Sequence, residues 1–170
     1  MNYKVLISLG SNLGNRKLAI EQAITQIHET LGTVLAISPL YETPSWGYED
    51  APYLNNVICL TTDCTPLALM EALLDIEKQL GRMRTDSPDY QARQIDIDIA
   101  LIEGHVIDHS SLQVPHPRMH LRKFVLCPAA DIAPSWVHET LSVSISDLLT
   151  NCSDKSDLKI YDQNTINLKS

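Results

Sequence analysis

Ile95-Asp96-Ile97-Asp98-Ile99-Ala100-Leu101 alternates isoleucine with aspartate before turning wholly apolar. A period of two marks a strand, because successive side chains face opposite sides of a sheet. Before it lies a helical pattern: Thr65 is placed to cap, Pro66 to begin, and apolar residues recur at Leu69, Met70, Leu73, Ile76 and Leu80 as far as Gly81. Further upstream, Tyr53–Thr62 and residues 33–41 (TVLAISPLY) read as strands, with Pro39 marking an edge or a bulge. A helix starts after Asn15, with Leu18, Ile20, Ala23, Ile24, Ile27 and Leu31 at helical spacing, and stops at Gly32. Residues 3–9 (YKVLISL) are the first strand.

The order is therefore β-α-β-β-α-β, the ferredoxin-like arrangement, and it predicts an α+β domain with a mainly antiparallel sheet and helices on one face. Past residue 101, Gly104 turns the chain into a short strand at 106–107, followed by short helices near 122–130 and 144–149. The domain is expected to span residues 1–150, with a polar tail over 151–170. Long polar loops at 42–52 and 82–94 interrupt the pattern and are candidates for function.

Composition agrees with a folded domain: 170 residues, 44% hydrophobic and 20% charged. The net charge of −8 argues against general binding of nucleic acid, which rests on cations neutralising phosphates. Yet five of the six arginines, Arg82, Arg84, Arg93, Arg118 and Arg122, fall between positions 82 and 122, as a local anion site would require. No apolar run approaches a membrane span or a secretory signal. Cys59, Cys64, Cys127 and Cys152 form no metal or disulfide pattern, so reduced thiols in a cytoplasmic protein are expected.

Four groups of residues are candidates for chemistry. Asp96 and Asp98 share one face of their strand, with α-carbons roughly 6–7 Å apart. Two carboxylates so placed suit one hard cation, or two that bridge them, although a solvated amphipathic strand would carry the same pattern. Glu77, Arg82, Arg84 and Arg93 are close in sequence to these aspartates, and arginine forks match phosphate oxygens. Cations beside metal-binding carboxylates favour nucleotide phosphates. Val114-Pro115-His116-Pro117 frames a histidine suited to donating a hydrogen bond to phosphate, or to remaining structural. His116 and His120 are four apart, but the prolines argue against a shared helical face. Tyr53 and Asn55 set an aromatic and an amide on one strand face, as a flat heterocycle would use.

Taken in order, Gly10-Ser-Asn-Leu-Gly14, Tyr41-Glu-Thr-Pro44, Tyr53-Leu-Asn55, Glu77…Gly81-Arg82…Arg84, Arg93-Gln-Ile-Asp96-Ile-Asp98 and Val114-Pro-His-Pro-Arg118 resemble 6-hydroxymethyl-7,8-dihydropterin pyrophosphokinases over about residues 4–134. The resemblance implies transfer of diphosphate from ATP to the hydroxymethyl group of the reduced pterin, releasing AMP, in folate biosynthesis. It implies two Mg²⁺ ions on Asp96 and Asp98, with Arg82 and Arg93 as catalytic partners. It lines the pterin pocket with Asn12, Thr43, Pro44, Tyr53, Asn55 and Phe124, the last stacking opposite Tyr53. Glu77, Arg82, Arg84, Arg93, His116 and Arg122 are implied around ATP. The expected partners are these two small molecules, with no nucleic acid, no membrane and a monomeric chain.

The chain departs from the family pattern at Gln91-Ala92, where Gly-Pro is usual, and at Ala100, where a larger aliphatic is usual. A nucleotide- or metal-sensing module without turnover would fit those departures. An RNA-binding module on the same topology would need a basic surface, which the charge opposes.

Overall fold

β1 (Tyr3–Ser11) is buried along most of its length, and that one property sets the layering of the molecule. Val5, Ile7 and Leu9 enter one apolar cluster and Leu6 enters a second, as alternation along a strand requires. The computed structural model describes residues 2–43, 52–81, 94–162 and 168.

After β1 come α1 (Arg16–Thr30), β2 (Thr33–Ile37), β3 (Leu40–Thr43), β4 (Tyr53–Thr62), α2 (Pro66–Gly81) and β5 (Asp96–Ile102). β4 and β5 flank β1, while β2 and β3 share the far side of β4, all antiparallel. Counting β2 and β3 as one interrupted strand, the spatial order is second, third, first, fourth, the ferredoxin-like order the sequence predicts. The interruption falls at Ser38-Pro39. Pro39 has no N–H to give, and at this break the Val57 N–H donates to the Ser38 hydroxyl at 2.9 Å. The single strand expected over 33–41 is thus two.

β6 (Ile107–His109) and β7 (Leu112–Val114) form a hairpin, with a cis peptide between Val114 and Pro115. A 3₁₀ turn at Met119–Leu121 leads into α3 (Lys123–Ile132). A small pair, β8 (Val137–His138) and β9 (Val143–Ser144), precedes α4 (Ile145–Thr150). β10 (Lys159–Asp162) then pairs antiparallel with β3, adding a strand from a stretch whose sequence reads only as polar.

The expectation of helices on one face is corrected. α1 and α2 cover one side through Ile20, Ala23, Ile24, Ile27, Leu69, Leu73 and Ile76. α3 and α4 cover the other through Val125, Leu126, Ala129 and Ile145, against Leu6, Val57, Cys59 and Leu101. Strands buried on both faces carry continuous apolar runs rather than alternation, which is what residues 5–7 and 99–102 display.

Helix boundaries follow local chemistry. Asn15 caps α1 by accepting the Leu18 N–H at 3.1 Å, and Thr65 caps α2 by accepting from Ala68 at 3.4 Å. Gly32 ends the first helix because the chain passes so close to β4 that a methyl there would sit 2.2 Å from the Thr61 carbonyl oxygen.

Candidate active site

Strand register places the polar residues of the sheet in rows on its α3 side. Tyr41 pairs with Asn55, Asn55 with Gly10, and Gly10 with Asp96, so one row crosses four strands. The next row holds Val57, Ser8 and Asp98. Thr43 pairs with Tyr53 one step further along. Asp96 and Asp98 thus share the side that bears Asn55, while Ile95, Ile97 and Ile99 are buried beneath.

The amide of Asn55 is buried and fixed, its Nδ2 donating to the Thr43 hydroxyl at 3.2 Å. It lies over Gly10, where an added methyl would meet Asn55 Oδ1 at 2.6 Å. Asn12, just after β1, is 5% exposed, and its Oδ1 has no hydrogen-bond partner among the described residues. A buried acceptor without a partner costs free energy unless a ligand or water meets it.

Around Asp98, a small cleft open to solvent is lined by Ser8, Asp98, Ala100, His116, Met119, Arg122, Phe124 and Val125. The Arg122 guanidinium lies over the Phe124 ring, 5.6 Å from its centroid. His116 is drawn in because its N–H donates to the Ala100 carbonyl of β5 at 2.8 Å. Its Nδ1 accepts the Arg118 N–H at 3.1 Å, leaving Nε2 to carry the proton. Burial pushes its pKa below the ordinary value; Asp98 opposes this, and Arg122 and Arg118 add to it.

Glu77 reaches from α2 to β5, where its Oε1 accepts the Ile97 N–H at 2.6 Å, between the two aspartates in sequence. β5 ends the sheet, so this carboxylate satisfies a backbone donor on the open edge. Asp98 lines the cleft and Asp96 lies two residues along the same face of β5, and two hard carboxylates so placed are a donor set that fits Mg²⁺, which binds through one or two carboxylates and keeps several waters. Among the described residues, no three His, Cys, Asp or Glu side chains gather into a larger metal cluster.

The structure brings Asp98, His116, Arg122 and Phe124 to one cleft and Thr43 to Asn55. Pro44, Arg82, Arg84 and Arg93 lie outside the described residues. Sequence reasoning missed Ser8 in the cleft and Arg16 at the start of α1. Arg16 pairs with Glu42 at 2.9 Å and donates to the Pro52 carbonyl at 2.6 Å, holding the residues that precede Thr43 and Tyr53. Nothing local in the sequence sets Arg16 apart, since both partners are distant along the chain.

A family model described as 7,8-dihydro-6-hydroxymethylpterin-pyrophosphokinase (HPPK) matches residues 6–134. The chain belongs to this family. It is 40% identical over 144 residues to the 2-amino-4-hydroxy-6-hydroxymethyldihydropteridine pyrophosphokinase of Bacillus subtilis, covering 84% of this chain and 85% of that one. The Porphyromonas gingivalis protein of the same name is 38% identical over 137 residues, 79% of this chain and 92% of its own. Solved HPPK-DHPS structures share the fold: one, in complex with substrates, aligns with a TM-score of 0.67 at 17% identity over 88% of this chain. This chain spans 43% of that longer one. As an HPPK, the protein is an enzyme of folate biosynthesis that transfers pyrophosphate to hydroxymethyldihydropterin.

Proposed function

We propose that the row from Tyr41 to Asp96 and the adjoining cleft are where ATP and the pterin meet. The observation carrying this reading is the pairing Asn55–Gly10–Asp96, which sets the Asn55 amide and the Asp96 carboxylate on one face of the two strands that flank β1. Asn55 and Thr43 offer amide and hydroxyl groups to the pterin edge, with Tyr53 and Phe124 stacking on its faces and Pro44 and Asn12 alongside. His116 and Arg122 take phosphate oxygens, together with Arg82, Arg84 and Arg93.

The pterin hydroxyl oxygen bonds to the β-phosphorus, the bond from that phosphorus to the oxygen bridging the α-phosphate breaks, and AMP leaves as the hydroxyl proton is lost. Arginines that bind the transferring group more strongly as its charge moves lower the barrier. Asp96 and Asp98 would hold the two Mg²⁺ ions, which when bound would neutralise phosphate charge. Glu77 keeps the aspartate strand in place through Ile97, and Asp96 is the candidate to receive the proton.

Four unpaired cysteines and the absence, among the described residues, of a helix long and apolar enough to cross a membrane support a reduced, cytoplasmic setting. We read residues 1–150 as the catalytic domain of a monomer that binds these small molecules and not nucleic acid or membrane.

The test is AMP release from ATP and Mg²⁺, with and without 6-hydroxymethyl-7,8-dihydropterin, with Asp96→Ala as the blank. Pterin-dependent AMP that disappears in the variant is the expected result. Tight Mg²⁺-dependent ATP binding without AMP would instead make the chain a nucleotide-binding module.

A further inference from the structure

We propose that residues 152–162 form a strap that sets the position of Phe124, with Asp154 as the positioning residue. This rests on the pterin reading of the cleft and extends it to a segment beyond residue 134, where the family match ends.

After α4 the chain runs extended, with Cys152, Asp154, Ser156 and Leu158 half-buried and residues 151, 153, 155 and 157 exposed. Asp154 and Ser156 meet the start of α3. Arg122 precedes that helix and makes no side-chain cap, so its first N–H groups lack the usual local acceptor. Asp154 supplies one from 31 residues away: Oδ2 accepts the Lys123 N–H at 3.1 Å. The carboxylate is itself held, since Oδ1 accepts from the Ser156 N–H at 2.9 Å and from the Ser156 hydroxyl at 2.5 Å. Lys123 Nζ returns a bond to the Ser156 carbonyl at 3.2 Å.

The strap then becomes β10, pairing Ile160 with Tyr41 and Lys159 with Glu42 on β3. Tyr41 donates its hydroxyl proton to the Asp131 carboxylate in the last turn of α3. A closed ring results: the start of α3 is tied to the strap, the strap to β3, and β3 to the end of α3. Phe124 follows the capped residue directly, and Thr43 lies two residues beyond Tyr41. The ring therefore joins two elements that carry the proposed pterin contacts.

Phe124 is the one phenylalanine in the chain, so 4-fluorophenylalanine gives a single ¹⁹F resonance that reports on this ring without any turnover. In Asp154→Ala the resonance is expected to shift or broaden, and the pterin KM to rise by about three- to tenfold with the ATP KM unchanged. Asp154→Asn, which keeps a carbonyl oxygen for the Lys123 N–H, restores part of both. The exposed neighbour Lys155→Ala leaves both at wild-type values.

An unchanged resonance and pterin KM in Asp154→Ala overturn the proposal, as does an equal rise in both KM values. Should Asp154→Ala not fold, Ser156→Ala removes the hydroxyl that orients the carboxylate, and an unmoved ¹⁹F line there overturns it equally. Wild-type protein that releases no pterin-dependent AMP refutes the functional reading instead, while the ¹⁹F comparison still decides the strap.

Discussion

Gly10 and Asn55 face each other across β1 and β4, and the Asn55 amide occupies the space that a side chain at position 10 would need. The hydrogen bond from Asn55 to Thr43 depends on that vacancy. In Gly10→Ala the new methyl, 2.6 Å from Oδ1, forces the amide to rotate and breaks the bond. We expect pterin affinity to fall by about five- to a hundredfold, the equivalent of about 1–3 kcal/mol of lost hydrogen bonding, with ATP affinity retained. Calorimetric titration of each ligand decides it: equal losses for both would show that the row does not read the pterin.

Asp96→Ala and Asp98→Ala each remove one carboxylate from the face beside the cleft without disturbing the buried isoleucines beneath. Transfer should drop by at least about a thousandfold, since charge neutralisation of this kind is worth several kcal/mol. Thermal unfolding should stay close to wild type. Near-normal turnover of either variant at saturating Mg²⁺ would remove that aspartate from the reaction.

Glu77→Ala strips the acceptor from the Ile97 N–H at the open edge of β5. The expected cost is about 1–3 kcal/mol of stability, with weaker Mg²⁺ dependence of the rate because the aspartate strand loses its anchor. Glu77→Gln keeps an acceptor oxygen and should recover the stability. Thermal melts and Mg²⁺ titrations of the two variants separate this positioning role from direct contact with ATP.

Phe124→Ala should weaken pterin binding by on the order of 1–3 kcal/mol of lost stacking while leaving ATP binding nearly intact. Loss of ATP affinity to the same degree would point to Arg122, which rests over this ring, as the group actually disturbed.

Asp154 also carries a pH signature. Burial acts to raise its pKa, but the hydrogen bonds from Ser156 and from the Lys123 N–H, together with the Lys123 charge, hold it below the ordinary value of 3.8. A carboxylate with a depressed folded pKa stabilises the fold above its ordinary value, and that contribution disappears as pH falls through the folded pKa. Urea midpoints of wild type and Asp154→Ala should therefore differ by a constant amount near neutrality and converge below pH 3.8. A gap that persists undiminished in acid would show that charge plays no part in the cap.

The order of strands and helices was legible because each rests on local periodicity: two along β5, near 3.6 along α1 and α2. So was the side shared by Asp96 and Asp98. Other features were not. The Ser38 hydroxyl bond at the break beside Pro39 depends on Val57, 19 residues on. That the helices near 122–130 and 144–149 cover the second face is written only in the continuous apolar runs of β1 and β5, which alternation alone does not reveal. β10 contains two apolar residues, Ile160 and Tyr161, both about half exposed; its strand character comes from the β3 edge, not from its composition. The remote cap at Asp154 and the Arg16 clamp share this cause, being contacts between residues distant in sequence.

Along β4, Leu54, Ile58 and Leu60 look into the α1–α2 layer, while Tyr53 and Asn55 look to the other side. Neighbours one residue apart thus answer to different demands. An aliphatic of similar volume can stand in for Leu54 at small cost, whereas Asn55 must supply one amide in one orientation over one glycine. Mutational drift can run freely on one side of such a strand while the other stays fixed. That asymmetry offers a physical route by which an architecture outlasts its sequence, as the shared fold at 17% identity illustrates.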